Sequence, residues 1–86
     1  MAEYSLAIKP SARKELDDLD DALFRRIEQK ILMLAGDPRP PGCKKLKGHS
    51  DIWRIRVGDY RVLYTVDDAE TIVRISRIAH RREVYE

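Results

Sequence analysis

Apolar and polar positions follow two different periods along the chain, and the change of period divides it in two. Tyr4, Leu6 and Ile8 alternate with Ser5 and Ala7, the period of a short strand. Pro10-Ser11 then marks a helix start, because proline suits the first helical turn. Ala12, Leu16 and Leu19 follow at spacings of four and three, one face of a short helix. Asp17, Asp18, Asp20 and Asp21 surround Leu19, the composition of one helix end and the cap of the next. Leu23, Ile27, Ile31 and Leu34 line one face of a second helix from about Asp21 to Ala35. Gly36 ends it, and Pro38, Pro40 and Pro41 prevent continuation. The two helices form a hairpin.

Residues 36–51 read as an ordered Gly/Pro-rich loop that gathers lysines towards its end. Beyond it the period is two. Trp53, Ile55 and Val57 alternate with Arg54 and Arg56 over Ile52–Val57, and Gly58-Asp59 is a tight turn. Tyr60, Val62, Tyr64 and Val66 alternate with Arg61, Leu63 and Thr65 over Tyr60–Val66. A turn over residues 67–70 leads to a third strand, Thr71–Ile78, with Val73 and Ile75 on one face and Ile72, Arg74 and Ser76 on the other. A polar tail over residues 80–86 closes the chain. The order β-α-α-β-β-β predicts an α+β fold, with the helical hairpin packed on one face of a small antiparallel sheet.

With 86 residues the chain is one domain, 1–86, since smaller pieces could not bury a core. Its 43% hydrophobic and 37% charged residues describe a globular protein with a charged surface. A single cysteine, Cys43, excludes an intrachain disulfide. No apolar run approaches the ~20 residues that span a bilayer, and Met1–Lys9 lacks the pattern of a secretion signal. A soluble, cytoplasmic protein with no membrane partner is expected.

Charge changes the picture more. Residues 1–43 carry 7 Lys/Arg against 8 Asp/Glu, whereas residues 44–86 carry 10 against 7. If Trp53, Ile55, Val57, Tyr60, Val62 and Tyr64 lie under the helices, then Arg54, Arg56 and Arg61 share the opposite face on two paired strands. Clustered like charge costs energy, and an anion partner would offset it. Arginine forks suit phosphate. Elsewhere the chemistry is sparse. Cys43 lacks the surroundings of a nucleophile, two histidines are too few for a structural zinc site, and the aspartates at the helix junction read as caps rather than metal ligands. No metal or other cofactor is expected.

Four segments occur in order: Lys45-Leu46-Lys47-Gly48, Trp53-Arg54-Ile55-Arg56, Gly58-Asp59-Tyr60-Arg61-Val62-Leu63-Tyr64 and His80-Arg81-Arg82-Glu83-Val84-Tyr85. Together they resemble the signature of the RelE/ParE toxin superfamily of type II toxin–antitoxin systems, its RelE-like branch above all. The resemblance implies the RelE-like microbial RNase fold and a ribosome-dependent endoribonuclease. In that chemistry the ribose 2′-hydroxyl attacks the adjacent phosphorus without a metal ion, and protein cations stabilise the charge on the phosphate oxygens. By resemblance Arg54, Arg56, Arg61, Arg81, Tyr85 and His80 form the catalytic set. Arg61 and Arg81 bind the scissile phosphate, Arg81 also assists the leaving group, and Tyr85 stacks on a base and orients the 2′-hydroxyl. Lys44, Lys45, Lys47 and Arg82 would grip the RNA backbone. The implied partners are a RelB-like antitoxin, the ribosome and mRNA, with operator DNA reached only through the antitoxin complex.

The chain departs from the family at Arg54 and Arg56, where well-studied RelE members carry lysines. Arginine stays protonated and cannot serve as the base. The proton then goes to His80 or to Tyr85, or the substitution weakens the enzyme. Two alternatives follow: a ParE-like inhibitor of DNA gyrase, or a catalytically inactive RelE-fold binding module.

Overall fold

The computed structural model describes residues 3–46, 48 and 51–83. Its elements run β1 (Ser5–Ile8), α1 (Pro10–Asp17), α2 (Asp21–Met33), β2 (Lys44–Lys45), β3 (Ile52–Val57), β4 (Tyr60–Asp67) and β5 (Ile72–His80), followed by a 3-10 turn at Arg81–Glu83. The expected helical hairpin and three-stranded meander are both present. Pro10 opens α1, and the Asp20 carboxylate caps α2 by accepting the Leu23 N–H at 2.9 Å. Leu34 is the C-cap of α2, so the helix stops earlier than Ala35, and Gly36 N–H closes a tight turn onto the Met33 carbonyl.

The sheet has five strands in the order β1-β5-β4-β3-β2. Two features depart from the expected antiparallel meander. First, β1 pairs with β5 in parallel, Leu6 opposite Val73, so the sheet is mixed. The helical hairpin carries the chain away from β1 and lets β5 return beside it in the same direction, as parallel neighbours require. Second, the end of the 36–51 loop forms β2, with Lys44 opposite Arg54 and Lys45 opposite Trp53. Two consecutive exposed lysines carry no alternation from which a strand could be read.

The core is a single cluster. Ala12 and Leu16 of α1 and Ile27 and Ile31 of α2 meet Ile55, Val57, Val62, Tyr64, Val73, Ile75 and Ile78. Trp53 and Tyr60 pack against its margin, as the alternation predicts. On β5 the register shifts: Leu63 pairs with Arg77 but Tyr64 with Ile75, which leaves Ser76 as a bulge. Its hydroxyl donates to the Leu63 carbonyl at 3.1 Å. The bulge resets the alternation, so Ile78 joins Val73 and Ile75 in the core and β5 runs on to His80.

One corner is held by polar contacts. Tyr64 is fully buried, and its hydroxyl donates to the Pro38 carbonyl at 2.7 Å. Arg39 donates twice to the Asp68 carboxylate, at 3.2 and 2.8 Å, and Tyr4 donates to the same group at 2.6 Å. The Arg39 guanidinium also lies 5.2 Å from the Trp53 ring centre, with Lys45 Nζ at 5.7 Å.

Candidate functional site

The face of the sheet opposite the helices is built by register. Arg56 pairs directly with Arg61, and Arg61 with Ala79; Arg54 pairs with Leu63, and Leu63 with Arg77. Partners across a ladder share a face, so Arg54, Arg56 and Arg61 do lie on one side, as the alternation requires. The turn between the two strands depends on Gly58, whose φ is +59°. Arg26 of α2 lies beneath it, its Nη1 3.6 Å from where a Cβ would stand.

The face is not uniformly open. Arg56 is exposed and Arg61 half-buried, but Arg54 is only 2% exposed. Its Nη1 donates to the Gly42 carbonyl at 3.1 Å. The 40–44 segment folds alongside β3 and screens this side chain, which corrects the expectation of an accessible Arg54. Leu63 at 9% and Ala79 at 2% exposure make the middle of the face apolar.

Arg81 begins the turn after β5. Its backbone N–H donates to the Asp59 carbonyl at 2.7 Å, and its Nε stands 3.8 Å from the Asp59 carboxylate. The β3–β4 turn therefore anchors the segment that carries Arg81. This brings Arg81 to the end of the sheet where Arg56 and Arg61 face each other. Arg82 is exposed beside it, and Lys44 and Lys45 are exposed on β2.

His80 is not brought to the arginine face. It pairs with Tyr60, and the two rings meet edge to face at 5.4 Å on the helix side of the sheet. Its Nδ1 accepts the Arg82 N–H at 3.2 Å. One step along a strand reverses the direction of a side chain, so His80 and Ala79 point to opposite sides. Lys47 and Tyr85, the remaining residues of the expected set, lie outside the described residues.

Two carboxylates outside the expected set stand against these cations. Asp59 faces Arg81, and Glu83 pairs with Arg77 at 3.5 Å while accepting the His80 N–H at 3.3 Å. Asp59 was legible as the residue after the turn glycine, two before Arg61. Glu83 needed the 3-10 turn to be known. Among the described residues no group of three or more His, Cys, Asp or Glu is placed to hold a metal ion, and no helix is long and apolar enough to cross a membrane.

Comparison with known proteins decides the family. Residues 6–85 match the model of the ParE toxin of type II toxin–antitoxin systems, parDE. The chain belongs to this toxin family. Within the wider RelE/ParE group, it is 29% identical to the putative toxin RelE1 of Methanocaldococcus jannaschii, with 96% of each chain covered. The fold superposes on a chain of the archaeal RelE–RelB complex from Pyrococcus horikoshii OT3 with a TM-score of 0.82 and 30% identity, covering 95% of this chain and 99% of that one. A chain of the RelBE2 toxin–antitoxin complex from Mycobacterium tuberculosis matches with the same TM-score at 28% identity, covering 93% and 100%. The chain is thus a RelE-like type II toxin in family and in fold.

Proposed function

We propose that this toxin is a ribosome-dependent endoribonuclease that cleaves mRNA by attack of a ribose 2′-hydroxyl on the adjacent phosphorus. The observation that carries the reading is the direct cross-strand pair of Arg56 and Arg61, with Arg81 anchored beside the same turn. Three guanidinium groups at one end of a sheet suit a phosphate whose negative charge grows as the new P–O bond forms. In this reading Arg56 and Arg61 hold the scissile phosphate, and Arg81 stabilises the departing 5′-oxygen. The products are a 2′,3′-cyclic phosphate and a 5′-hydroxyl, and the charge stabilisation comes from the protein's own cations. Lys44, Lys45, Lys47 and Arg82 hold the flanking backbone. Arg54, being buried, supports the site rather than touching RNA. Since arginine cannot accept the proton and His80 faces the other way, we assign the 2′-hydroxyl proton to Tyr85 acting as the phenolate, and the departing 5′-oxygen takes its proton from water.

The same reading gives the toxin a RelB-like antitoxin, which covers the basic face and joins it to operator DNA. The solved relatives that support it are RelE–RelB complexes. The test is induction of the toxin alone in bacteria, with translated messages mapped by primer extension. Cuts within codons that disappear with Arg61→Ala and when translation is blocked support the reading, and growth arrest with intact messages sinks it. A second reading, inhibition of DNA gyrase, is favoured by one observation, the ParE description of the matching family. It predicts loss of supercoiling activity in a purified gyrase assay.

A further inference from the structure

On the flank of β3, between the C-terminal half of α2 and the loop that precedes β2, lies a cavity of about 370 Å³. Lys30, Lys44, Arg54 and Arg56 line it, and among its described lining residues there is no carboxylate. The rest of the lining is apolar, chiefly Met33, Pro40, Pro41 and Ile55. Met33 is 59% exposed, an apolar side chain standing at the mouth of the cavity rather than in the core. Arg54 has the opposite character: a charged side chain almost wholly withdrawn from water and set in the cavity wall. Charge in a partly dehydrated wall acts on an incoming anion through a lower effective dielectric than charge on an exposed side chain.

The wall is also preformed. The hydrogen bond from Arg54 to the Gly42 carbonyl ties the loop to β3, so the loop need not be ordered at the moment of binding. Gly42 adopts a φ of +90°, and nothing lies within 4 Å of where its Cβ would be, which leaves the backbone open to an occupant. A second cavity of about 390 Å³ shares Lys30, Met33 and Arg56, and continues along α2 to Arg25 and Arg26.

We propose that the first cavity is a subsite for a single unpaired nucleotide of the RNA strand, next to the phosphate that is cut. This inference rests on the ribonuclease reading and extends it. The volume falls at the small end of the roughly 300–1,000 Å³ typical of ligand sites. The base lies against Met33, Pro40 and Pro41, where the Met33 sulfur meets an aromatic ring. Its phosphate meets Lys30 and Lys44. Arg56 belongs both to the cavity and to the Arg61 face, so it bridges this phosphate and the scissile one. A carboxylate-rich peptide could satisfy the same cations but gains nothing specific from the apolar half.

The test is titration of the full-length toxin with AMP, adenosine and inorganic phosphate, read from backbone amide shifts. AMP is expected to move the amides of Gly42, Lys44 and Ile55 and to saturate at concentrations well below those needed for adenosine or phosphate. Lys30→Glu, an exposed helix position, should weaken AMP about tenfold, the size of one charge-assisted contact. Arg13→Ala, an exposed position on α1 away from the cavity, should leave AMP binding unchanged. In cleavage assays the Lys30→Glu loss should fall on KM. If AMP binds no more tightly than phosphate, if its shifts lie elsewhere, or if an acidic peptide binds there and AMP does not, the subsite is overturned. Cleavage of messages without AMP shifts would remove the subsite and leave the ribonuclease reading standing. AMP shifts in a toxin that cuts nothing would overturn the ribonuclease reading and with it the place of the subsite beside a cut phosphate, leaving only a nucleotide-binding cavity.

Discussion

Arg56 and Arg61 stand directly opposite each other across the β3–β4 ladder. Like charges in that relationship are destabilising by a fraction of a kcal/mol up to about 1 kcal/mol. A position that costs stability and serves only structure would tolerate replacement without loss of function. Arg61→Ala is therefore expected to leave the melting temperature within a few degrees of the parent while cleavage falls about 100–1,000-fold, the scale of one lost charge-stabilising donor. Primer extension on translated messages, beside a thermal melt, checks both halves. A variant that melts early would assign Arg61 to the fold instead.

Two residues are candidates for the proton, and substitution separates them. His80 packs on Tyr60 on the helix side, with its Nδ1 engaged by the Arg82 N–H. His80→Ala should keep cleavage within a few-fold. Tyr85→Phe removes the hydroxyl assigned to the proton and should lower cleavage by about 100-fold or more, as loss of general acid–base help does. The reverse ranking would return the role to His80.

Much of this architecture was written in the periodicity. The spacing of Ala12 and Leu16, and of Ile27 and Ile31, fixed which helix faces point inward, and the alternation of Trp53, Ile55 and Val57 placed Arg54 and Arg56 on the other side. The failures have physical causes. β2 is two exposed lysines held by pairing with a neighbour distant in sequence, and no local pattern encodes that. The bulge at Ser76 breaks the period of β5, so Ile78 and His80 lie one step out of the phase that Val73 and Ile75 set. Burial of Arg54 depends on the path of the 40–44 segment, which composition describes only as a loop.

The Asp68 corner gives a prediction in acid. The Arg39 guanidinium, with help from the Tyr4 hydroxyl, holds the Asp68 carboxyl below its ordinary value of 3.8. A depressed carboxyl contributes stability that is complete above the ordinary value and is lost as pH falls below it, through the folded-state value. Asp68→Asn should therefore be less stable than the parent at neutral pH, with the gap closing as pH drops below 3.8. The group is exposed, so the gap is small. Urea melts across the acid range measure it, and a gap that stays constant with pH would show that the ion pair contributes nothing through titration.

Tyr64 makes the opposite case, on the alkaline side. It is fully buried, and burial, reinforced by contact with Cys43, pushes its hydroxyl well above the ordinary 10.0. The neutral phenol is the form the fold accepts, because its proton is the one donated to the Pro38 carbonyl at 2.7 Å. In the unfolded chain the same hydroxyl ionises near its ordinary value. Its contribution is therefore complete below pH 10.0 and is lost as pH rises from there towards the raised folded-state value. Tyr64→Phe removes the donor and leaves the Pro38 carbonyl without it, at a cost of about 1–3 kcal/mol near neutral pH. The variant also lacks the titrating group, so the difference between parent and variant should shrink at about pH 11. Denaturant melts of both proteins at the two pH values read the result. A difference that persists unchanged would mean that ionisation of the hydroxyl is not linked to folding, and no difference at either pH would mean that the loop is held at Pro38 by packing alone.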